Sequence, residues 1–479
     1  MQLRRTAAIF LLLSLTITTI VFAQTTASES TVLERNIRAE LGFLASDAMQ
    51  GRGSGTGFER LAAEYIGSQF RQFGLEPAGD SDSTGQKGFV QRIALTGAKF
   101  SEPPTLTVTS GTDVKKWTFG RDLLVSFLRS PQLTGNLQIA NIDSALTKGS
   151  VALVKLPEGT DAQKRQDLIR RARTEQAGAL LLLETDANKR TREAGNVRLP
   201  SLPTSIGVTN GGAPQFAVIS LGKEAYDAIV AIPAGAKVDF SGPIQSTPDS
   251  ATWNAIGMLK GSDPNAASEV ILLSAHLDHL GTTESTAPGA DTINNGADDD
   301  ASGCVAVMEL ARVLAAGKRP KRTIYFVCFG SEERGGFGSH HFVENPPVPL
   351  EQLVADVHFE MLGRPDAKVP ANTLWLTGFE RSTLGPELAK QGALIVGDPH
   401  PDQNFFQRSD NYRFALRGVI AHTISSFGLH TDYHRPSDDI SKVDFPFMTR
   451  SINSLIKPIR WLADSNFKPA WLPGKQPTR

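Results

Sequence analysis

The sequence predicts an α/β protein: a mixed sheet flanked by helices, interrupted by a smaller, β-rich α/β module. Three observations predict this. From Thr252 onward, apolar runs of strand length alternate with segments of helical periodicity, the pattern of a sheet covered on both faces. Between residues 130 and 249 a separate strand–helix–strand pattern appears, bounded by Pro- and Gly-rich stretches. All nine histidines lie between His276 and His434, so histidine chemistry belongs to the C-terminal half.

The first 23 residues begin basic (MQLRR), run apolar from Ala7 to Ala23 and end in small residues. That is the pattern of a secretory signal peptide cut after Ala23, and it implies a secreted or periplasmic protein with no membrane attachment after cleavage. Residues 24–129 are expected to start the main domain. Thr31 to Ser46 reads as a helix with Thr31 and Glu34 spaced as a capping box. A second helix follows "GRGSGT", places Leu61, Ala62, Tyr65, Ile66, Phe70 and Phe73 on one face, and stops at Gly74. Thr105 to Thr109 alternates as a short strand.

Within the module, Val151 to Leu156 and Ala179 to Leu183 read as buried strands around a charged helix, Asp161 to Gln176. Phe216 to Ser220 is a further strand, with a helix from Lys223. Residues 250–479 form the second part of the main domain. Strands are expected at Val270 to Ala275, Thr323 to Phe329, Leu353 to Phe359 and Gly418 to Ile424. Helices are expected at Ala301 to Ala316 and from Phe447.

Composition excludes some classes of function. With 49 basic and 50 acidic residues the formal net charge is −1, which argues against nucleic acid or an anionic membrane as the main partner. Two cysteines, Cys304 and Cys328, cannot make a disulfide framework and read as small buried side chains. No histidine is followed by Glu and no Gly-x-Ser-x-Gly occurs, so two common hydrolase signatures are missing.

The polar residues that remain sit just after strand ends, where open α/β sheets bind ligands. In "SAHLDHLG", His276 and Asp278 share a strand face, so the carboxylate can orient the imidazole while its other nitrogen meets a metal. "FGSEERGGFGS" places Glu332 and Glu333 side by side in a glycine-rich loop, one able to ligate while the other faces a reacting water. "VHFEMLGR" contributes Glu360, and "HTDYHRPSDD" contributes His430, Tyr433 and His434. "NNGADDDASG" places Asp298, Asp299 and Asp300 where the chain turns into an apolar helix.

Nitrogen and oxygen donors without thiolates suit zinc, with manganese or cobalt as substitutes. One cation cannot use so many donors. Two can, if one of the three aspartates, Asp299 by preference, lies between dications roughly 3.5–4 Å apart. Two dications facing Asp299, Glu333 and Glu360 keep a surplus charge that suits a hydroxide, and Glu332 is placed to move its proton.

Together these motifs resemble the co-catalytic dizinc exopeptidases, a family that includes bacterial leucyl aminopeptidases, aminopeptidase Y and glutamate carboxypeptidase II. "QRSDNYRFA" and the N-terminal "FLASDAMQGRGSGTGFERLAAEYI" fit the same pattern. The resemblance implies a zinc-peptidase domain and two zinc ions, with His276 and Glu360 on one, Glu333 and His434 on the other, and Asp299 bridging. It implies Glu332 as general base, Asp278 as the residue orienting His276, and Tyr433 as support for the oxyanion. It identifies residues 130–249 with a protease-associated insertion.

Peptides are then the expected substrates. The leading expectation is an aminopeptidase acting through a hydroxide bridging two metals. Alternatives are a carboxypeptidase or dipeptidase, with Arg408 or Arg435 meeting a substrate carboxylate, cyclisation of N-terminal glutamine, and a non-catalytic receptor-like relative. The loop from Asp398 to Phe414 offers Phe405, Phe406, Arg408 and Asp410 as a substrate pocket. Two residues depart from the family pattern: Glu360 stands where aspartate is usual, and Asp300 where asparagine is usual. His279 and His430 are expected to support the site from behind, and His340 and His341 to pack along a helix start.

Overall fold

The computed structural model describes residues 30–195, 197, 199–200, 205–206, 215–283 and 289–478; the segment read as a signal peptide lies outside them. The chain divides into two compact units. One comprises the residues up to Ile93 together with Ala251–Arg479, and the other is Ala94–Ser250. The module expected at 130–249 therefore begins earlier than the composition suggested. Strands Thr105–Ser110, Asp113–Thr118 and Leu123–Leu128, expected in the first domain, are part of the second unit's own sheet.

In the first unit the sheet runs, in spatial order, Ile395–Gly397, Leu374–Leu376, Ala421–Ser425, Leu353–Phe359, Val270–His276, Thr323–Phe329 and Ile244–Leu259. Val270–His276 pairs in parallel with both Thr323–Phe329 and Leu353–Phe359, and the latter in parallel with Ala421–Ser425. These strands are apolar without alternation because both faces are buried, as parallel sheets require. Helix Gly303–Ala316 is apolar nearly all round, and eleven of its residues are buried. Three parallel strands thus end side by side at His276, Phe329 and Phe359. The residues that follow them form one rim.

Helix Gly57–Gln72 starts where Thr56 accepts the backbone N–H groups of Phe58 and Glu59. The expected Thr31–Glu34 capping box does not form. The first helix is Glu34–Leu44 with Leu33 at its N-cap, and distant side chains take the nearby amides instead. Asn453 accepts from Val32 at 3.0 Å and Glu309 from Leu33 at 3.2 Å. Tertiary partners override a local signal here.

The second unit has an eight-stranded mixed sheet. Leu133–Asn141, Val151–Lys155, Ala179–Leu183 and Ala217–Leu221 are successive parallel neighbours. Helix Ala162–Thr174 is capped by Asp161, which accepts the Lys164 N–H at 2.8 Å. Among the described residues no helix is long and apolar enough to cross a membrane.

Candidate metal centre

The site is assembled from loops that leave the strands at one rim. His276 closes Val270–His276, Glu332 and Glu333 follow Thr323–Phe329, and Glu360 follows Leu353–Phe359. His434 arrives on the loop after Ala421–Ser425. Three non-glycine residues at or beside these donors hold left-handed backbone, Ser331 (φ 54°), Met361 (φ 56°) and His434 (φ 58°). Such conformations persist only where the surroundings over-determine them.

Asp299 is the hub. Its Oδ1 lies 3.2 Å from His276 Nε2, and its Oδ2 lies 3.2 Å from His434 Nε2. His434 Nε2 is also 3.3 Å from Glu333 Oε2. Two donor sets result, each with its ligating atoms within 4.8 Å of one another: His276, Asp299 and Glu360, and His279, Asp299 and Glu333. The second set contains a residue that sequence reasoning had placed behind the site. His279 Nδ1 is 2.9 Å from Glu333 Oε1, its ring is fully buried, and it meets the His434 ring edge-on at 5.7 Å. Only the repeated His in His-Leu-Asp-His could have signalled this, because the fold turns both rings toward Asp299.

Several of these atoms are buried and close to one another yet make no well-directed hydrogen bond: His276 Nε2, both nitrogens of His279, Glu333 Oε1 and His434 Nε2. Buried polar atoms are normally satisfied. Orphans converging on shared carboxylates are what a cation would satisfy, so the residues present fit a pair of metal ions. Electrostatics agree. Burial disfavours charge on His276, yet Asp300, Asp278 and Asp299 hold its pKa well above the usual value. Burial likewise opposes charge on His434, but Asp299 and Glu333 raise its pKa to about 10. The carboxylates draw positive charge into the cluster.

The three adjacent aspartates do three different things. Gly296 (φ 58°) makes the turn possible, since a Cβ there would stand 2.2 Å from Asp299 O and 2.6 Å from the His279 ring. Asp299 enters the site. Asp298 turns away: its Oδ1 accepts the Gly363 N–H at 2.7 Å and its Oδ2 pairs with His430 Nε2 at 3.1 Å. His430 thus supports the turn from behind. Asp300, joined to Asp299 by a cis peptide bond, accepts the His276 N–H through Oδ2 (3.1 Å) and the Gly303 and Met361 N–H groups through Oδ1 (3.0 and 3.1 Å). Both its oxygens accept. An asparagine would set an NH2 against one of these donors, which gives a physical reason for aspartate here.

Asp278 lies farther from His276 than its expected role implies. The nearest approach of its carboxylate to His276 Nδ1 is 3.8 Å, and its own backbone carbonyl is nearer, at 3.3 Å. Its carboxylate accepts from Glu332 N, Glu333 N and Ser54 Oγ instead. Glu332 is thereby fixed on the same rim, and burial, with Asp410, Glu360 and Glu333 nearby, pushes its pKa well above the carboxylate range. Tyr433 stacks on His434 with ring centroids 3.8 Å apart. Burial and the negative charge of Asp299 raise its pKa, keeping the phenol protonated.

Of the four residues expected to form a substrate pocket, two line a cavity beside the cluster. Phe405 and Arg408 line this small cavity of about 30 Å³, which also touches Glu360 and Tyr433. Phe406 is only 6% exposed and packs against Tyr412, His422 and Trp471, so it belongs to the core. Asp410 is 2% exposed and bound to the Ser339 hydroxyl, and burial raises its pKa to about 6. Both were misread because the short helical turns of this loop, Phe405–Gln407 and Asn411–Ala415, direct alternate residues inward.

Comparison with known proteins matches residues 254–457 to the model of Peptidase family M28. The chain is 31% identical over 170 residues to leupeptin-inactivating enzyme 1 of Streptomyces exfoliatus, covering 34% of each protein. It is 33% identical over 116 residues to an aminopeptidase of Pseudomonas aeruginosa, covering 24% of this chain and 19% of that protein. The chain thus spans about a third or less of the length of these curated relatives. Its fold is similar to that of an aminopeptidase from Aneurinibacillus sp. strain AM-1, with 19% identity and a TM-score of 0.51 over 94% of this chain and 98% of that one.

Proposed function

We propose that this chain, whose residues 254–457 match the model of Peptidase family M28, is a secreted zinc-dependent aminopeptidase that hydrolyses the N-terminal bond of peptides. The observation that carries the reading is the two-sided Asp299 carboxylate, one oxygen 3.2 Å from His276 Nε2 and the other 3.2 Å from His434 Nε2. His276, Glu360 and Asp299 would hold one zinc; Asp299, Glu333 and His434, with His279 beside them, would hold the other. Imidazole and carboxylate donors without thiolates support zinc, with manganese or cobalt as substitutes. When bound, such a pair polarises a carbonyl and lowers the pKa of water to about 7.

The chain's own residues supply the rest. Glu332, held by its backbone N–H on Asp278, takes the proton of the attacking water and passes it to the departing amine. Its raised pKa suits both halves of that task. Tyr433, protonated and stacked on His434, donates to the oxyanion as the carbonyl carbon becomes tetrahedral. The cluster of carboxylates attracts the free α-amine of the substrate. The unit Ala94–Ser250, which contains no histidine, is read as a protease-associated module that gates or binds substrate.

Hydrolysis of aminoacyl and N-blocked chromogenic peptides, before and after chelation, tests this reading. Free N-termini should be strongly preferred, and activity should vanish on chelation and return with zinc. Equal cleavage of blocked substrates would contradict it.

A further inference from the structure

The cavity beside Glu360 is walled by aromatic rings. Trp375 stacks on Phe405 at 5.3 Å, and Phe427 meets Phe405 at 5.8 Å and Tyr433 at 5.1 Å. Aromatic walls alone would suit any apolar side chain. The polar groups in this slot are more selective, because nearly all of them are donors.

Arg408 lies over the Phe405 ring at 5.0 Å and makes no side-chain hydrogen bond or ion pair among the described residues. Glu360 lines the same slot, yet no ion pair joins the two within 4.0 Å. The Trp375 indole N–H, on a residue 1% exposed, has no acceptor. Thr377 Oγ1 and Ser425 Oγ each accept a backbone N–H, from Thr423 and Phe427, which leaves their protons to give. Guanidinium and indole N–H groups cannot accept hydrogen bonds at all. For the buried Trp375 N–H the lack of a partner is costly; Arg408 is exposed and would meet a ligand carboxylate through a charge-assisted contact.

We infer that this slot is a side-chain subsite for an acidic residue, and that Arg408 and Trp375 select glutamyl over apolar N-terminal residues. The inference rests on the aminopeptidase reading and adds the substrate class to it. The methylenes of a glutamyl side chain lie against the aromatic wall, and its carboxylate takes the donors. Guanidinium suits a carboxylate because both oxygens can be engaged together. Glu360, the one carboxylate in the slot, belongs to the metal cluster.

The test measures kcat/KM of the zinc-loaded full chain on glutamyl, glutaminyl, leucyl and lysyl 7-amido-4-methylcoumarin, and on Leu-Gly against Leu-Gly amide. Glutamyl should exceed leucyl by about tenfold or more, the scale of a charge-assisted hydrogen bond. Arg408→Leu should collapse the glutamyl-to-leucyl ratio at least about tenfold, mainly through KM. Trp375→Phe should lower that ratio less, with Tm confirming that the variant is folded. Preference for leucyl or lysyl over glutamyl would overturn the inference and leave the aminopeptidase reading standing. So would preference for Leu-Gly over its amide without a glutamyl preference, which would assign Arg408 to a C-terminal carboxylate. Cleavage of none of these substrates would count against the aminopeptidase reading itself.

Discussion

Asp278 Oδ1 accepts the backbone N–H of Glu332 at 2.9 Å. The same carboxylate takes the Glu333 N–H at 3.3 Å and the Ser54 hydroxyl at 2.5 Å. One buried acid therefore sets the loop that carries both the proposed base and a proposed ligand.

Asp278→Asn should lower kcat by about 10–100-fold, the usual cost of losing a residue that orients metal ligands. The amide NH2 would confront a backbone donor and push the loop away. Steady-state kinetics, together with zinc competition against a chelating dye, check this. Near-normal turnover would show that the loop holds itself.

Glu332→Gln separates proton transfer from metal binding. Turnover should fall by about 10²–10⁴-fold, while metal content, measured by elemental analysis, stays at the wild-type value. A variant that keeps its rate would assign the base elsewhere.

Arg52 is 1% exposed and donates to four backbone carbonyls: Leu44, Leu277, Asn295 and Gly296. Leu277 follows His276, and Gly296 begins the turn to Asp299, so this one side chain clamps two donor loops together. Arg52→Met should cost about 3 kcal/mol of stability, the scale of leaving buried acceptors unpaired. Zinc affinity should fall with it. Arg52→Lys, with three donors in place of five, should recover only part. Denaturant titration of each variant measures the difference.

Burial, with the charge of Asp278 nearby, raises the pKa of Glu59 to about 8. The folded state therefore holds this proton more tightly than the unfolded chain does. The resulting stability is fully present below about pH 4.5 and is lost as the pH rises through about 8. Glu59→Gln should flatten that part of the Tm-against-pH curve, because the carboxamide does not titrate. An unchanged slope would place the titration on another group.

The parallel strands were legible in the sequence because burial on both faces leaves an unbroken apolar run, as in Val270–His276 and Thr323–Phe329. The residues after those strands were legible for the same reason: a carboxylate or imidazole that closes such a run has to be satisfied by something. Roles that depend on which atom faces which were not legible. Asp298, Asp299 and Asp300 are chemically identical in sequence, and only the turn at Gly296 separates brace, hub and staple. His279 could not be told from a supporting histidine until the loop placed its ring against Glu333. Phe406 and Asp410 looked like neighbours of Phe405 and Arg408, but short helical turns alternate the loop's faces. The capping box at Thr31 did not form; Asn453 and Glu309, hundreds of residues away, take the neighbouring Val32 and Leu33 amides, and the helix begins at Glu34 with Leu33 as its N-cap.

The most direct test is a crystal of the active, zinc-loaded protein with anomalous scattering recorded on either side of the zinc edge. Two peaks should flank the Asp299 carboxylate, one beside His276 and Glu360 and one beside Glu333 and His434. A map with no zinc peak in contact with either Asp299 oxygen would contradict the account.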